Sequence, residues 1–384
     1  MNNDLKLYNK ANSFIEIRSK GHDDSEILNR VRQVVARLES ADVLDDHSNI
    51  IKRACNDLLA DERHDDSSHF WLRDHIREEI KQISDDDLPH YLFYRYRYDV
   101  YPQTHQLDDF PPCLQIEPSS ICNYRCVFCY QTDSALTLPK NGNMGMMPFS
   151  MFKEIIDQAQ GRCDAITLAS RGEPLMCRDI EAMLEYVRGK FLAFKMNTNA
   201  WFLDERKAHA ILQADINTLV FSADAAEEPL YSQLRVNGKL DRVLANIRQF
   251  QEIRAKHYPA SKMITRVSGV RYSSQQNLDS MEKFWGELVD QVAFVDYNPW
   301  ENSYEQPINN ISSPCSDLWR RTFVWFDGRI NPCDVDYLST LCVGNIKKKS
   351  LSEIWTGEKY NGLREAHLSK RRNEMSPCNR CTVV

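Results

Sequence analysis

The chain has 384 residues, 42% of them apolar and 27% charged, the composition of a soluble globular protein too long for one ordinary domain. Its formal charge of −7 gives a nucleic-acid partner no general electrostatic help. The polar start Met1-Asn2-Asn3-Asp4 lacks an apolar signal stretch, and no run of apolar residues reaches membrane-helix length; a cytoplasmic protein without a membrane partner is expected.

Residues 1–108 read as a helical extension. Apolar residues recur at helical spacing from Ile27 to Leu38, from Ile50 to Leu59 and from Phe70 to Ile83. Asp85-Asp86-Asp87 and Pro89 close the third run. Tyr94-Arg95-Tyr96-Arg97-Tyr98 alternates rings and cations. Interleaved rings and cations also occur on nucleic-acid surfaces, but strict alternation predicts an edge strand or linker with its rings on one side.

From Pro111 the pattern changes to strand, loop, helix, repeated. Strands are predicted at Leu114–Glu117, Ala165–Ala169, Ala193–Asn197, Thr218–Ser222, Met263–Val267 and Val292–Asp296. Between them lie helical patterns such as Met151–Gln160, Asp179–Lys190, Leu240–Lys256 and Leu278–Gln291. Six such units over residues 109–300 predict an α/β fold, a parallel sheet covered by helices. Right-handed crossovers curl such a sheet into part of a barrel, with functional loops at the C-terminal strand ends. Residues 301–384 form a separate tail. Phe323–Ile330 reads as a hairpin turning at Asp327-Gly328. Ser350-Leu351-Ser352-Glu353 is a capping box that should open one helix through about Leu368.

Twelve cysteines are many for a chain without secretory features, and metal or catalytic use is favoured over a disulfide framework. Cys55, Cys113, Cys163, Cys177 and Cys342 are scattered and read as buried small hydrophobes. Cys122, Cys126 and Cys129 form a C-x3-C-x2-C loop after the first barrel strand. Three thiolates at this spacing can hold three irons of a cubane cluster and leave the fourth open. Zinc is the alternative, but structural zinc wants a fourth ligand, and the nearest upstream candidate, His105, belongs to no motif. Cys315, Cys333, Cys378 and Cys381 form a second constellation: the hairpin brings the first pair together, and the chain returns to a Cys-x2-Cys pair at its end. Four thiolates suit either a closed cluster or a zinc ribbon.

The cysteine loop, its place after the first strand, and Phe128 before the last cysteine resemble the radical S-adenosylmethionine (SAM) superfamily. The resemblance implies a partial (β/α)6 barrel that binds SAM on a 4Fe-4S cluster held by Cys122, Cys126 and Cys129. It also implies reductive cleavage of SAM to a 5′-deoxyadenosyl radical. Ser170-Arg171-Gly172-Glu173-Pro174 resembles the family's Gly-Gly-Glu segment, with Arg171 where a glycine is usual; Glu173 would receive the SAM amino group. Asn197, in Asn197-Thr198-Asn199, and Ser222, in Ser222-Ala223-Asp224, stand where the family contacts ribose and carboxylate. Arg235 is expected against that carboxylate, as a bidentate guanidinium. The tail resembles SPASM/twitch extensions: a Gly-x4-Cys step, Gly344-Asn345-Ile346, Glu353-Ile354-Trp355 and the closing Cys-x2-Cys. This implies a second, auxiliary 4Fe-4S cluster, with cysteine spacing similar to the aminocyclitol dehydrogenase branch.

The expected function is therefore that of a radical SAM oxidoreductase. It would take hydrogen from a sugar or cyclitol alcohol, with Asp296 as base, Arg266 as a second catalytic candidate near a predicted strand end, and the auxiliary cluster as electron acceptor. Glu117, Arg271, Tyr297 and Glu301 are further lining candidates near predicted strand ends. A flavodoxin- or ferredoxin-type donor would supply the electron. Three alternatives stand beside this one. One is modification of a peptide or protein. Another is redox-neutral epimerisation, with Cys177 or Cys342 returning the hydrogen. The last is a metal-binding scaffold without catalysis.

Overall fold

Alternation along the strands shows why this sheet encloses a space. The strand Ala193–Thr198 buries Phe194, Met196 and Thr198 on one face and leaves Ala193, Lys195 and Asn197 half-buried on the other. A parallel sheet packed on both faces would bury both sets; here the second set lines a lumen.

The computed structural model describes residues 7–8, 14–16, 23–40, 45–60 and 68–384. Its strands are β1 (Phe14–Glu16), β2 (Cys113–Ile116), β3 (Arg125–Cys126), β4 (Ala165–Leu168), β5 (Ala193–Thr198), β6 (Thr218–Ser222), β7 (Arg235–Val236), β8 (Ile264–Arg271), β9 (Gln291–Asp296), β10 (Thr322–Val324), β11 (Arg329–Asn331) and β12 (Gly344–Asn345). Strands β2, β4, β5, β6, β8 and β9 pair in that order, all parallel. They are the six strands predicted, curled into a partial barrel. Strand β8 runs four residues past its predicted end at Val267, which moves Arg266 away from the strand's end. The intervening helices, among them Phe149–Ala159, Ile180–Val187, Glu205–Gln213, Leu240–His257 and Leu278–Gly286, bury Ile155, Met183, Ile211, Phe250 and Trp285 against Ile116, Leu168, Met196 and Phe221. Each such side chain contributes about 1.5–3 kcal/mol on full burial.

The sheet extends beyond the barrel at both edges. Strand β1 adds antiparallel to β9, a strand within the stretch read as helical. On the other edge β10 adds parallel to β2, and β11 and β12 follow antiparallel. The tail hairpin is thus a continuation of the barrel sheet. Its turn ends at Gly328, whose φ of +89° suits glycine. The capping box forms as expected, but the helix it opens is short: Leu351–Trp355 stops, and Glu358–Leu368 restarts from an extended Gly357. A Cβ at Gly357 would stand 2.6 Å from the Glu353 carbonyl, so the break is built around the glycine.

Four helices of the extension, α1 (Ser25–Glu39), α2 (Asp46–Leu59), α3 (Asp74–Gln82) and α4 (Leu88–Asp99), share a second core. Ile27, Val31, Ile51, Ile76 and Leu92 pack there together with Cys113 and Ala165, the first residues of β2 and β4. The helices therefore sit under the N-terminal ends of the strands. Helix α4 overturns the edge-strand reading of Tyr94–Tyr98. It is buried on nearly every side, so it shows no one-sided apolar stripe. Its cations are held internally: Arg95 donates to Asp99 at 2.8 Å one turn on, and Arg97 pairs with Asp108. Among the described residues no helix is long and apolar enough to cross a membrane.

Candidate active site

The C-terminal ends of the barrel strands surround a cavity of about 340 Å³. Cys122, Cys126 and Cys129 line it, and so do Phe128, Glu173, Asn197, Ser222 and Arg235. Every residue expected at the cluster and SAM site thus meets in one place. The loop carrying the thiols is fixed from below. Gly172 lets the second loop approach it so closely that a Cβ there would lie 2.3 Å from the Ser119 carbonyl. The short β3–β7 pairing sets Cys126 opposite Arg235.

Glu173 accepts from Leu175 N at 3.1 Å, Thr198 Oγ1 at 2.6 Å and Asn199 N at 2.7 Å. Burial pushes its carboxyl up from the ordinary range, and these donors pull it back. Asn199, absent from the short list of expected contacts, donates to Asn123 Oδ1 at 2.9 Å and lies 3.9 Å from Cys122 Sγ. Arg235 differs from its expected role. Its guanidinium is paired with fully buried Asp224 at 2.6 Å, and Nη1 lies 3.8 Å from Cys126 Sγ. That leaves Arg235 as the counter-charge of Asp224 and the cluster thiolate, not a free fork for a ligand carboxylate. Asp224 went unassigned in the sequence, although its place just past β6 parallels that of Glu173 past β4.

The site fits the cofactors its motif implies. Burial pushes the Cys122 thiol up to about 12 and the Cys126 thiol to about 11, so iron must displace protons to bind there. Two buried atoms facing this cavity, Asn197 Oδ1 and Ser170 Oγ, have no hydrogen-bond partner, as a site shaped for a polar ligand leaves them.

The tail cysteines also gather. Burial and the charges of Cys378 and Cys315 raise the Cys333 thiol; burial, Cys381 and Cys315 raise Cys378. Arg372, 1% exposed, donates to the carbonyls of Cys381 at 2.7 Å, Ser313 at 3.0 Å and Cys378 at 3.2 Å. His367 Nδ1 accepts from Cys315 N at 3.1 Å. Asp336 accepts from Tyr304 OH at 2.6 Å and from the Leu341 and Thr340 amides at 2.8 and 2.9 Å, fixing the loop after Cys333. No motif marks these three residues, so no local pattern signalled them.

Residues 116–266 match the radical SAM superfamily, and residues 315–382 match an iron–sulfur cluster-binding domain, SPASM. The chain carries a radical SAM domain followed by a SPASM domain. Such domains bring SAM and 4Fe-4S clusters as cofactors. A GTP 3′,8-cyclase of Listeria welshimeri is 24% identical over 217 residues, 53% of this chain. The chain spans only 61% of that relative's length. The SAM-dependent 2-deoxy-scyllo-inosamine dehydrogenase of Niallia circulans is 21% identical over 71% of this chain and 92% of its own. Among solved structures, BtrN in complex with AdoMet and 2-DOIA superposes with a TM-score of 0.50 at 17% identity, covering 72% of this chain and 95% of BtrN. Streptococcus suis SuiB bound to precursor peptide SuiA superposes with a TM-score of 0.56 at 16% identity, covering 94% and 82%. These likenesses describe the fold.

Beside this radical SAM domain's thiol site, a second cavity of about 650 Å³ lies below the thiols, inside the barrel. Gln115, Thr167, Lys195, Thr218 and Arg266 line it from the strands, α3 and α4 add Glu79 and Arg95, and the tail adds Arg320, Arg321 and Asp334. Tyr8, Asn197, Val295 and Trp300 border both cavities, which adjoin there along the barrel lumen. The larger space is remote from the thiols; the cluster chemistry belongs to the smaller.

The remaining expected residues separate along this lumen. Asp296 ends β9 in the upper cavity, paired with Arg271. Tyr297 lines that cavity and hydrogen-bonds Glu301. Arg266 lies in the lower cavity, with Nε and Nη2 at 2.8 and 2.6 Å from Gln291 Oε1; it is not beside Asp296, because β8 continues past it. Glu117 is fully buried and binds Arg171 through both carboxylate oxygens, at 2.6 and 2.7 Å, so it cannot face a substrate. The expected thiol donors fail on position. Cys177 is 3% exposed within the helix-covered core, Cys342 points its sulfur at the Gly344 carbonyl at 3.2 Å, and neither lines either cavity.

Proposed function

We propose that this radical SAM enzyme oxidises a small polar substrate, a sugar or cyclitol alcohol, held in the lumen between its two cysteine sites. The observation that carries this reading is the lumen itself. It runs from the three thiols of the upper cavity down to Asp334, the neighbour of Cys333. With both cofactor sites loaded, SAM and its cluster supply a 5′-deoxyadenosyl radical for hydrogen abstraction, and the auxiliary cluster supplies an electron sink. The chain's own residues do the rest. Glu173, Asn197 and Ser222 line the place where SAM would bind. Phe128 covers that cavity, with its ring 5.6 Å from the ring of Tyr272. Asp296, oriented by Arg271, takes the hydroxyl proton of the substrate. Arg266 faces the substrate's far end. The dehydrogenase of Niallia circulans, matched over 92% of its length, supports the reaction class. A cytoplasmic location and a flavodoxin- or ferredoxin-type electron donor go with this reading.

Mass spectrometry tests it. Reconstituted enzyme with SAM, a one-electron reductant and a panel of sugar and cyclitol alcohols in D2O should yield, after back-exchange into H2O, a product two mass units lighter than substrate, having lost one carbon-bound and one hydroxyl hydrogen, with one 5′-deoxyadenosine per turnover. A product that keeps its oxidation level and gains one deuterium would refute oxidation. Peptide modification is the second reading, supported by the superposition of peptide-bound SuiB over 94% of the chain. A mass change in a peptide, with none in the panel, would establish it.

A further inference from the structure

The lower lumen carries more positive charge than its wall neutralises. Among the described residues, Arg and Lys outnumber Asp and Glu along that wall by seven to four. Several of these charges are already matched: Arg95 by Asp99 at 2.8 Å, and Arg321 by Asp317 at 3.2 Å. Glu79 accepts from Tyr91 OH at 2.6 Å. Two of the other five cations bear on the lumen most directly. Lys195 projects from the middle of β5 into the cavity and makes no hydrogen bond or ion pair with any described residue. Arg320 is 2% exposed, spends Nε on the Tyr98 carbonyl at 3.2 Å, and leaves Nη2 without a partner. A charge held in such a wall without a hydrogen-bonded carboxylate is costly, and an anionic ligand would offset that cost.

The neighbours of Lys195 are chosen for an oxyanion. Strand register puts Thr167 of β4 and Thr218 of β6 directly beside it, and Gln115 of β2 one strand further. All four line the lower cavity, making a deck of two hydroxyls, an amide and an ammonium. Burial, with Arg266 and Arg321 acting on it, pulls the Lys195 ammonium down to about 8, against the opposing charge of Glu79. An anion at the deck would relieve that pressure. Four residues on, just past the end of β5 and about 13 Å away at the rise of a parallel strand, Asn199 stands beside Cys122. The distance suits one sugar-sized ring carrying a charged arm.

We infer that Lys195, flanked by Thr167 and Thr218, is an anion subsite, and that the substrate enters with a carboxylate or phosphate at this deck and its reacting carbon toward the thiols. The inference rests on the reading that the substrate occupies the lumen. It differs from that reading in naming a charged substrate where a neutral polyol would otherwise serve.

Calorimetry on the reconstituted, SAM-loaded full chain at low ionic strength tests it, with inorganic pyrophosphate as one probe and succinate as the other. One of the two should bind saturably, one per chain, and which one binds identifies phosphate or carboxylate. Lys195→Gln and Lys195→Met should each weaken that binding at least tenfold, and Lys195→Arg should restore it to within a few-fold. Iron content and slow substrate-free SAM cleavage should stay at wild-type levels throughout. Neither anion binding to wild type, or equal binding by Lys195→Gln, overturns the subsite. Loss of oxidised product from the panel above, with anion binding intact, would count against the oxidation reading alone.

Discussion

Arg171 shows how one unexpected residue can join two domains. It stands where the related segment has a glycine, is 1% exposed, and gives Nε and Nη2 to fully buried Glu117. Its Nη1 reaches the Tyr337 carbonyl at 2.9 Å, and its guanidinium lies 4.3 Å from the centre of the Trp325 ring. The barrel loop that presents Glu173 is thereby tied to the tail hairpin. Breaking a buried pair leaves one charge unmatched and costs about 3–5 kcal/mol. Urea unfolding should find Arg171→Met and Glu117→Gln each destabilising in that range, and the double variant less so than the sum of the two. Strict additivity would mean that the pair does not couple the domains. The sequence marked position 171 as a departure but gave no reason for it. The reason lies in Glu117, 54 positions earlier, and in a tail residue still further along the chain.

At the scale of elements, what could be read from the sequence followed from what each element buries. The six barrel strands bury one face against helices, so their apolar runs and bounding turns were legible. Helix α4 buries nearly all of its surface, and its pattern imitated a strand. Strand β1 pairs with β9, far along the chain, a partnership no local pattern reveals. The same limit hid Arg372. The Cys-x2-Cys pair was plain, but the residue that grips its carbonyls carries no motif. Arg372→Leu removes hydrogen bonds to Cys381, Cys378 and Ser313 at once. Such a variant should lose the tail cluster on gel filtration, dropping from about eight irons to about four, while SAM cleavage persists. Full iron retention would show that the thiols need no such clamp.

Across the whole molecule, three segments distant in sequence enclose one lumen. The strands provide its walls, α3 and α4 part of its floor, and the tail its side near Asp334. This arrangement favours treating residues 1–108, 109–300 and 301–384 as interdependent segments, a division we propose from the sequence. The oxidation proposed above uses two distinct cluster sites, one for SAM and one as electron acceptor. The most direct measurement is iron and sulfide content, taken together with 5′-deoxyadenosine formation, on anaerobically reconstituted wild type and on the variant with Cys122, Cys126 and Cys129 all changed to Ala. Two cubanes predict about eight irons in wild type and about four in the variant, with 5′-deoxyadenosine abolished in the variant. Stoichiometric zinc without labile sulfide, or SAM cleavage surviving the triple change, would contradict the account.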